Sequence, residues 1–281
     1  MNTPRMIGLL PVLLLSAASS FAQSDYVTTV ENTPGLLGYW RFTPTSQANS
    51  EVNGYTGTFN GNAAVGSSSS GPSLADDPQN RPVVLHGNGD WVNTNLVGGT
   101  DTGGSIVGWF NLAQLPSDAG HTFYIAGESQ YANDFDLQIE TDNSVRFYTT
   151  GSGAVIDPAP LTSANLGQWI FVAATFTANN TRDIYINGNL VASSASGGHS
   201  ASSGTFSMGE STVFSGRFFN GALDEMAVYN RQLTATEVQN IYASTAVVPE
   251  PSMYGFMLLG ALLLLSSWRW RKSRAVLALA S

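Results

Sequence analysis

The chain has 281 residues, a net charge of −9 and no cysteine, which excludes disulfides, thiol catalysis and thiolate metal sites. All 20 acidic residues lie between Asp25 and Glu250, where six arginines and no lysine leave a net charge of −14. This charge argues against nucleic acid or an anionic membrane surface as a partner. Its simplest role is to keep an exported protein soluble, and a need for cations is the alternative.

The first predicted element is a secretory signal peptide over residues 1–22. Arg5 precedes an apolar run from Met6 to Leu15, and small residues then lead to a predicted cleavage site after Ala22. An N-terminal membrane anchor is disfavoured because the apolar run is too short to span a bilayer comfortably. Residues 23–246 remain, which is long enough for one domain with a sizeable core.

Short strands separated by turn residues follow one another closely in this domain, which favours an all-β sandwich. After a polar lead from Gln23 to Pro34, the first strand is predicted at Leu36–Phe42, and turn-rich surface loops follow at 45–61 and 66–82. Gly87–Asp90 predicts a hairpin between strands at 83–85 and 91–92. Further strands are predicted at 105–112, 123–126, 135–139, 145–149, 205–208 and 223–229.

The central stretch from Gly167 to Ala192 carries the clearest β pattern. Trp169–Phe176 is apolar almost without a break, which predicts a strand buried on both faces. Asp183–Asn187 alternates polar and apolar residues, and Asn187-Gly188 then supplies the positive φ angles of a tight turn. An antiparallel meander is therefore predicted here.

One short C-terminal helix is predicted after the last strand. Thr234 and Glu237 match a capping box, in which each side chain satisfies a backbone N–H near the other residue. Val238, Ile241 and Tyr242 then share one face of the helix. Its predicted role is packing.

Six blocks of the sequence follow one another in a characteristic order: Leu37–Phe42, Asn53–Thr58, Val84–Val92, Ser105–Phe110, Gly167–Ala192 and Phe219–Leu233. This order resembles the laminin-G-like, concanavalin A-like jelly-roll modules of exported bacterial proteins. The resemblance spans about residues 35 to 243. It implies a concanavalin A-like jelly-roll sandwich whose work is to bind extracellular polysaccharide or a surface glycoprotein. A structural matrix protein without a specific ligand is the alternative, followed by a glycan-cleaving enzyme.

The same resemblance implies a structural Ca²⁺ between the early glycine-rich loop and the closing strand. The corresponding residues are Asn49, where the family often has Asp, with Glu51, Asn53 and Asp224. Carboxylate and carbonyl oxygens of this kind suit Ca²⁺. The alternative for Asp224 is a carboxylate that accepts loop N–H groups or pairs with an arginine.

Loop aromatics are the candidates for carbohydrate contact, because an exposed ring can stack on a sugar beside polar side chains. Tyr55, Tyr131, Phe214 and Phe218 lie in predicted loops. The tryptophans Trp40, Trp109 and Trp169 lie instead within apolar strand patterns and are predicted to belong to the core.

No catalytic residue is predicted, although one strand carries a row of carboxylates. Alternation places Asp134, Asp136 and Glu140 on one face, as in laminarinase-type hydrolases of this general fold. Their spacing departs from the hydrolase pattern, and we interpret them as a solvated strand face.

The C-terminal residues 247–281 resemble a PEP-CTERM sorting signal, which exosortase uses to process exported proteins. Pro249, Glu250 and Pro251 precede an apolar stretch at 253–268 and a basic cluster at 269–274, although the apolar residues 275–281 extend beyond the usual end of such tails. At about 1.5 Å per residue the stretch forms a helix about 24 Å long, short for a bilayer core of about 30 Å. The basic cluster is predicted to stay cytoplasmic.

This signal predicts anchoring in the inner membrane before processing, then display at the cell surface or in the extracellular matrix of a Gram-negative bacterium. The alternative is an ordinary C-terminal anchor that is never cut, because hydropathy alone does not separate the two.

Overall fold

A computed structural model describes residues 25–67, 70–74, 77, 80–128, 135–149, 154–177, 181–195 and 204–245. The signal peptide, the sorting motif, the predicted membrane helix at 253–268, Tyr131 and Asp134 lie outside the described residues. Within the described part of the chain no helix is both long and apolar enough to cross a membrane.

Two antiparallel sheets form the sandwich, which confirms the predicted all-β jelly-roll architecture. Sheet I runs in the order β13-β12-β11-β6-β15-β4-β3, and β1 pairs with the second half of β15. Its strands are β1 (Leu36–Trp40), β3 (Ala64–Val65), β4 (Val83–His86), β6 (Gly103–Leu112), β11 (Trp169–Thr177), β12 (Arg182–Ile186), β13 (Asn189–Ser194) and β15 (Asn220–Tyr229).

Sheet II faces sheet I across the main core and runs in the order β10-β9-β8-β7-β14-β5-β2. Its strands are β2 (Gly57–Asn60), β5 (Trp91–Val97), β7 (Phe123–Glu128), β8 (Phe135–Ile139), β9 (Val145–Thr149), β10 (Ala154–Ile156) and β14 (Thr205–Met208). The helices are α1 (Asp25–Asn32), α2 (Pro116–Ala119) and α3 (Ala235–Ala243), and a 3-10 turn covers Ser163–Asn165.

Strand β11 is buried on both faces, as its apolar sequence predicts. Val172 and Phe176 point into the core between the sheets, whereas Phe171 and Ala173 point to the opposite face of sheet I. That opposite face is apolar because α1 and α3 pack over it and form a second core. One face of sheet I therefore packs against the helices, and its other face packs against sheet II through the main core.

Helix α1 corrects the prediction of a polar lead before the first strand. Tyr26, Val27 and Val30 lie on one side of this helix and are fully buried in the second core. Three apolar residues at positions i, i+1 and i+4 are too few to predict a helix among polar neighbours. The helix forms because the surface of sheet I buries these three side chains.

The turn at 87–90 does not form the predicted hairpin. Strand β4 pairs within sheet I, whereas β5 pairs within sheet II, so the turn is a corner between the sheets. Asp90 is fully buried there and accepts the N–H groups of Asn62 at 2.6 Å and His86 at 3.0 Å. Glycine and aspartate are common both in hairpin turns and in corners between sheets, so these residues alone did not distinguish the corner from the predicted hairpin.

The turns and helix at the end of the domain match their predictions. Asn187 and Gly188 have φ angles of 49° and 75° and join β12 to β13. Thr234 and Glu237 form the capping box at the start of α3. The loop predicted at 45–61 contains the short strand β2. This strand depends on its pairing with β5, a distant part of the chain, which the local sequence does not predict.

Candidate functional site

The closing strand β15 carries a bulge at Asp224 and Glu225, where its register with β6 shifts. Glu225 has a φ of 53°, an uncommon conformation for a residue with a side chain, and both carboxyl groups are fully buried. Oδ1 of Asp224 accepts the N–H of Glu225 at 2.9 Å. The bulge therefore turns two successive carboxyl groups into the protein interior.

A hydrogen-bonded network surrounds these carboxyl groups. The Tyr39 hydroxyl donates to Oε2 of Glu225, and Nε of Arg41 donates to Oε1 at 3.3 Å. Arg41 also pairs with Asp77. Burial raises the pKa of Glu225 to about 7, and burial together with the neighbouring Glu225 raises the pKa of Asp224 well above its usual range.

Two oxygen atoms in this cluster lack a hydrogen-bond donor among the described residues. They are Oδ2 of Asp224 and Oδ1 of Asn80, and both atoms are buried. Both side chains lie against Gly71, since a Cβ atom there would be 2.9 Å from Oδ2 of Asp224 and 2.8 Å from Nδ2 of Asn80. Buried oxygens without donors, close to three acidic side chains and one arginine, provide the ligand chemistry that a hard cation prefers.

The other three residues predicted as calcium ligands make contacts elsewhere. Oδ1 of Asn49 accepts the N–H of Gly57 at 3.1 Å, and Oε1 of Glu51 accepts the Thr43 hydroxyl at 3.4 Å. Nδ2 of Asn53 donates to the carbonyl of Leu37 at 2.8 Å. Within the described ranges no group of three or more His, Asp or Glu residues is placed to hold a metal ion.

The outer face of sheet II, the face turned away from the main core, is polar. Phe135, Leu137 and Ile139 of β8 point into the core, so Asp136 and Gln138 lie on the outer face. Asp136 is only 1% exposed and accepts the Tyr124 hydroxyl at 2.8 Å. The interpretation of a solvated strand face is therefore wrong for Asp136, which is buried together with its hydrogen-bond partner Tyr124.

Glu140 follows the last residue of β8 and is partly exposed. It accepts the hydroxyl groups of Thr122 at 2.6 Å and Tyr148 at 2.8 Å. Four residues separate it from Asp136, which corresponds to about 13 Å along a strand. Glycoside hydrolases place their two carboxyl groups about 5 to 9.5 Å apart, so this spacing does not match a hydrolytic pair.

Phe214 lies in the loop from Gly209 to Phe219, which borders the outer face of sheet II. The Arg217 guanidinium lies over the Phe214 ring, 4.4 Å from its centroid, and donates to Oε1 of Gln138 at 2.8 Å. Phe214 and Arg217 are both partly exposed. An aromatic ring and a hydrogen-bonded cation are thus fixed beside the polar strands.

Two of the other predicted ligand aromatics lie in the described part of the chain, whereas Tyr131 lies outside it. Phe218 and Tyr55 are both half-buried, and Tyr55 packs against the main core. Two of the tryptophans that were predicted to belong to the core are buried: Trp40 is fully buried and Trp109 is 7% exposed. Trp169 is partly exposed, and its indole N–H donates to the carbonyl of Ser70 at 3.0 Å.

A surface pocket of about 460 Å³ lies beside strand β2, at the edge of sheet II. The loop that precedes this strand forms one wall, and the strand forms the other. The lining residues are Thr45, Ser46, Gln47, Ala48, Asn49, Gly57, Thr58 and Phe59.

A family model of laminin-G type, described as the concanavalin A-like lectin/glucanases superfamily, matches residues 86–239, which is more than half of the chain. The chain belongs to this superfamily. Membership agrees with the two antiparallel sheets and with the resemblance of the sequence blocks. A comparison with curated proteins finds no match.

Solved structures of the same fold include binding domains of botulinum neurotoxins. The botulinum neurotoxin serotype D binding domain has a TM-score of 0.58 at 12% identity, covering 74% of this chain and 51% of the neurotoxin chain. The botulinum neurotoxin DC binding domain in complex with SialylT has a TM-score of 0.55 at 12% identity, covering 76% and 52%. This chain spans about half the length of these domains.

Domain 4 of AbnA, an extracellular arabinanase from Geobacillus stearothermophilus, is a shorter match and was solved with arabinotriose. It has a TM-score of 0.52 at 22% identity, covering 74% of this chain and 98% of that domain. At such identities the likeness establishes the concanavalin A-like fold of this superfamily member and nothing about its ligand.

Several residues of these sites have no signal in the sequence. Asp77 and Asn80 lie in a stretch whose composition predicts only a polar loop. Arg41 follows the first strand, and no motif around it predicts a functional contact. They meet Asp224 and Glu225 across more than 140 positions, so only the fold of this superfamily brings them together. The closing pattern at 219–233 identified Asp224 alone.

Proposed function

We propose that this protein is an exported, non-catalytic binding module for extracellular polysaccharide or a surface glycoprotein. The outer face of sheet II carries the proposal, because it presents Phe214, Arg217 and Glu140 on a scaffold of hydrogen-bonded polar side chains. Sugars present apolar ring faces and many hydroxyl groups, which suit an aromatic ring beside fixed donors and acceptors.

The related structures support a recognition role without naming the ligand. Domain 4 of the arabinanase was solved with arabinotriose, and one of the neurotoxin binding domains was solved with SialylT. The two described carboxyl groups of this row, Asp136 and Glu140, give no support to a catalytic role because they are spaced too far apart for hydrolysis.

Affinity electrophoresis of the full chain in mild detergent tests the proposal, with gels that contain arabinan, laminarin or alginate. We expect at least one polysaccharide to retard the protein, and Phe214→Ala to reduce the retardation while leaving the melting temperature nearly unchanged. Thr212→Ala, an exposed change in the same loop, is the matched control. A folded protein that no polysaccharide retards would favour the structural matrix role, and release of sugar products would favour an enzyme.

We also propose a structural Ca²⁺ at the buried cluster on the closing strand. Oδ2 of Asp224 and Oδ1 of Asn80 fit such an ion, because both are buried and lack donors in the described residues. A bound Ca²⁺ would neutralise the carboxylate and stabilise the chain around Gly71 against β15. Asp224 and Asn80 would hold it, and Asp77 and Glu225 would add negative charge nearby.

Thermal unfolding with calcium and with chelator tests this site. We expect calcium to raise the melting temperature of the wild type and of Glu51→Gln, and to have little effect on Asp224→Asn. If Glu51→Gln abolished the calcium effect instead, the ligands would be the early-loop set of Asn49, Glu51 and Asn53. A wild-type melting temperature independent of calcium would refute the site.

Export and sorting complete the proposed function. A signal peptide at 1–22 would direct the chain out of the cytoplasm, and exosortase would process the tail that begins with Pro249-Glu250-Pro251. The position of the motif supports this proposal, since it follows by a few residues Ala243, the end of α3, which is the last described helix. The domain would be held at the inner membrane before processing and lie at the cell surface or in the extracellular matrix afterwards.

A further inference from the structure

The pocket beside β2 has a lining of uniform chemistry. None of its eight residues is charged, although the surrounding domain carries a large negative charge. Five of them carry a hydroxyl or amide group, and four of these side chains are exposed: Thr45, Gln47, Asn49 and Thr58. Phe59 is half-buried and adds an aromatic surface, supported from behind by Phe42 at 6.3 Å between ring centroids.

The wall opposite β2 is held rigidly by its own hydrogen bonds. The Thr43 hydroxyl accepts the N–H of Ser46 at 3.1 Å, and the Thr43 carbonyl accepts the N–H of Gln47 at 2.8 Å. Gln47 has a φ of 52°, a strained conformation for a residue with a side chain. Strain of this kind often occurs where function fixes the position of a side chain, and here the exposed Gln47, whose amide donates to the carbonyl of Pro44 at 3.4 Å, lines the pocket.

Strand β2 also contributes backbone groups to the pocket. It is the last strand of sheet II and pairs with β5 along one edge only. The N–H of Gly57 points away from β5 to Oδ1 of Asn49, so the N–H and carbonyl of Phe59, two residues on, face the same side. These groups add a donor and an acceptor inside the pocket.

A peptide strand does not fit along this edge. The carbonyl of Ala48 lies so close to Gly57 that a Cβ atom there would be 1.9 Å from the oxygen. The preceding loop therefore covers the start of the edge, where Oδ1 of Asn49 accepts the N–H of Gly57, and leaves a surface pocket beside the strand.

We infer that this pocket is a binding subsite for an uncharged saccharide unit, separate from Phe214 and Arg217. Its volume of about 460 Å³ lies within the range of small-molecule sites. The lining offers hydroxyl, amide and backbone groups for sugar hydroxyls and one aromatic surface for the apolar ring face. The absence of charge from its lining selects neutral sugars over uronic acids. The inference rests on the proposed glycan-binding function.

The test compares binding of the full chain to neutral arabinan and laminarin with binding to acidic alginate and polygalacturonate. We expect a neutral polysaccharide to bind best. Thr58→Ala should raise its Kd about three- to tenfold, the effect of one lost hydrogen bond. Thr56→Ala is the matched control, because Thr56 is exposed on the same segment outside the pocket.

Gln47→Gly separates binding from folding at this pocket. Glycine adopts positive φ without strain, so we expect the melting temperature to stay the same or rise while the Kd for the neutral polysaccharide increases. Unchanged binding by Gln47→Gly and Thr58→Ala, in a wild type that does bind glycans, overturns the pocket and leaves the proposed function intact. A preference for alginate also overturns the pocket, and binding to no polysaccharide overturns the proposed function itself.

Discussion

Glu237 concentrates several hydrogen bonds at the start of α3. Its carboxylate accepts the N–H of Thr234 at 2.8 Å and the two guanidinium nitrogens of Arg231 at 2.7 and 2.9 Å. The hydrogen bonds from Arg231, followed by those from Thr234, lower the pKa of Glu237 to about 2. The ionised form is therefore bound more strongly in the folded state than in the unfolded chain.

We expect Glu237→Gln to lower the free energy of unfolding by about 1 kcal/mol at pH 7, because glutamine keeps the capping-box acceptor but loses the ion pair with Arg231. Because the folded-state pKa lies below the ordinary value of 4.5, the stabilisation is complete above pH 4.5 and disappears as the pH falls towards 2. Urea unfolding at pH 7 and pH 3 should show a smaller difference between wild type and variant at pH 3. An equal difference at both pH values would contradict this account.

Gly57 marks the closest approach between the loop at 45–49 and strand β2. We expect Gly57→Ala to destabilise the protein by about 1 to 3 kcal/mol, since its Cβ atom meets a backbone carbonyl that cannot move aside. Gly54→Ala is the comparison: it has open space but a φ of +70°, for which about 1 kcal/mol is expected. Urea unfolding that ranks Gly54→Ala as the more destabilising change would show that the loop yields easily.

Among the secondary-structure elements, α1 has the least sequence signal and a clear structural role. It is eight residues long, too short to be stable alone, and its stability comes from packing over sheet I beside α3. The Tyr229 hydroxyl of β15 donates to the carbonyl of Val30 at 3.0 Å, which ties the helix to the closing strand.

Val30→Ala should lower the free energy of unfolding by about 2 kcal/mol, because the side chain is fully buried in the second core. Thr28→Ala, on the exposed side of the same helix, should change it by less than about 0.5 kcal/mol. Chemical denaturation of both variants checks this pair. Equal stability of the two variants would mean that α1 does not stay docked in solution.

For the whole molecule, the two outer faces of the sandwich differ in chemistry. The outer face of sheet I is apolar and covered by α1 and α3, and the start of α1 lies near the end of α3 because Tyr26 and Tyr242 both contact Trp109. The outer face of sheet II is polar. The two ends of the domain therefore leave from the helix-covered side of the molecule.

Intact-mass analysis of protein from an exosortase-bearing host tests the proposed processing. We expect residues 253–281 to be missing from that sample and present in protein from a host without the enzyme, since Pro249-Glu250-Pro251 is what separates a sorting signal from an ordinary anchor. Protein that retains the full tail in both hosts would establish an uncut anchor.

Much of the fold follows from local sequence patterns. The predicted strands at 135–139, 145–149 and 205–208 have the same bounds in the structure, and the capping box at Thr234 and Glu237 forms as predicted. These features depend on residues close together in the chain, whose alternation, turn chemistry and capping act over a few positions. The order of the sequence blocks along the chain also predicts the fold of the whole domain, through its resemblance to the family.

The candidate sites depend on contacts between residues far apart in the chain. Glu225 meets Tyr39 and Arg41 across 186 and 184 positions, and nothing near any of them marks the contact. The placement of β4 and β5 in different sheets is likewise set by long-range pairing. The sequence by itself predicted most of the strands, the helix α3 and the resemblance to the family, and the targeting signals at both ends stay predictions. Only tertiary structure decided which side chains are buried together, because burial and partner choice arise when distant strands pair.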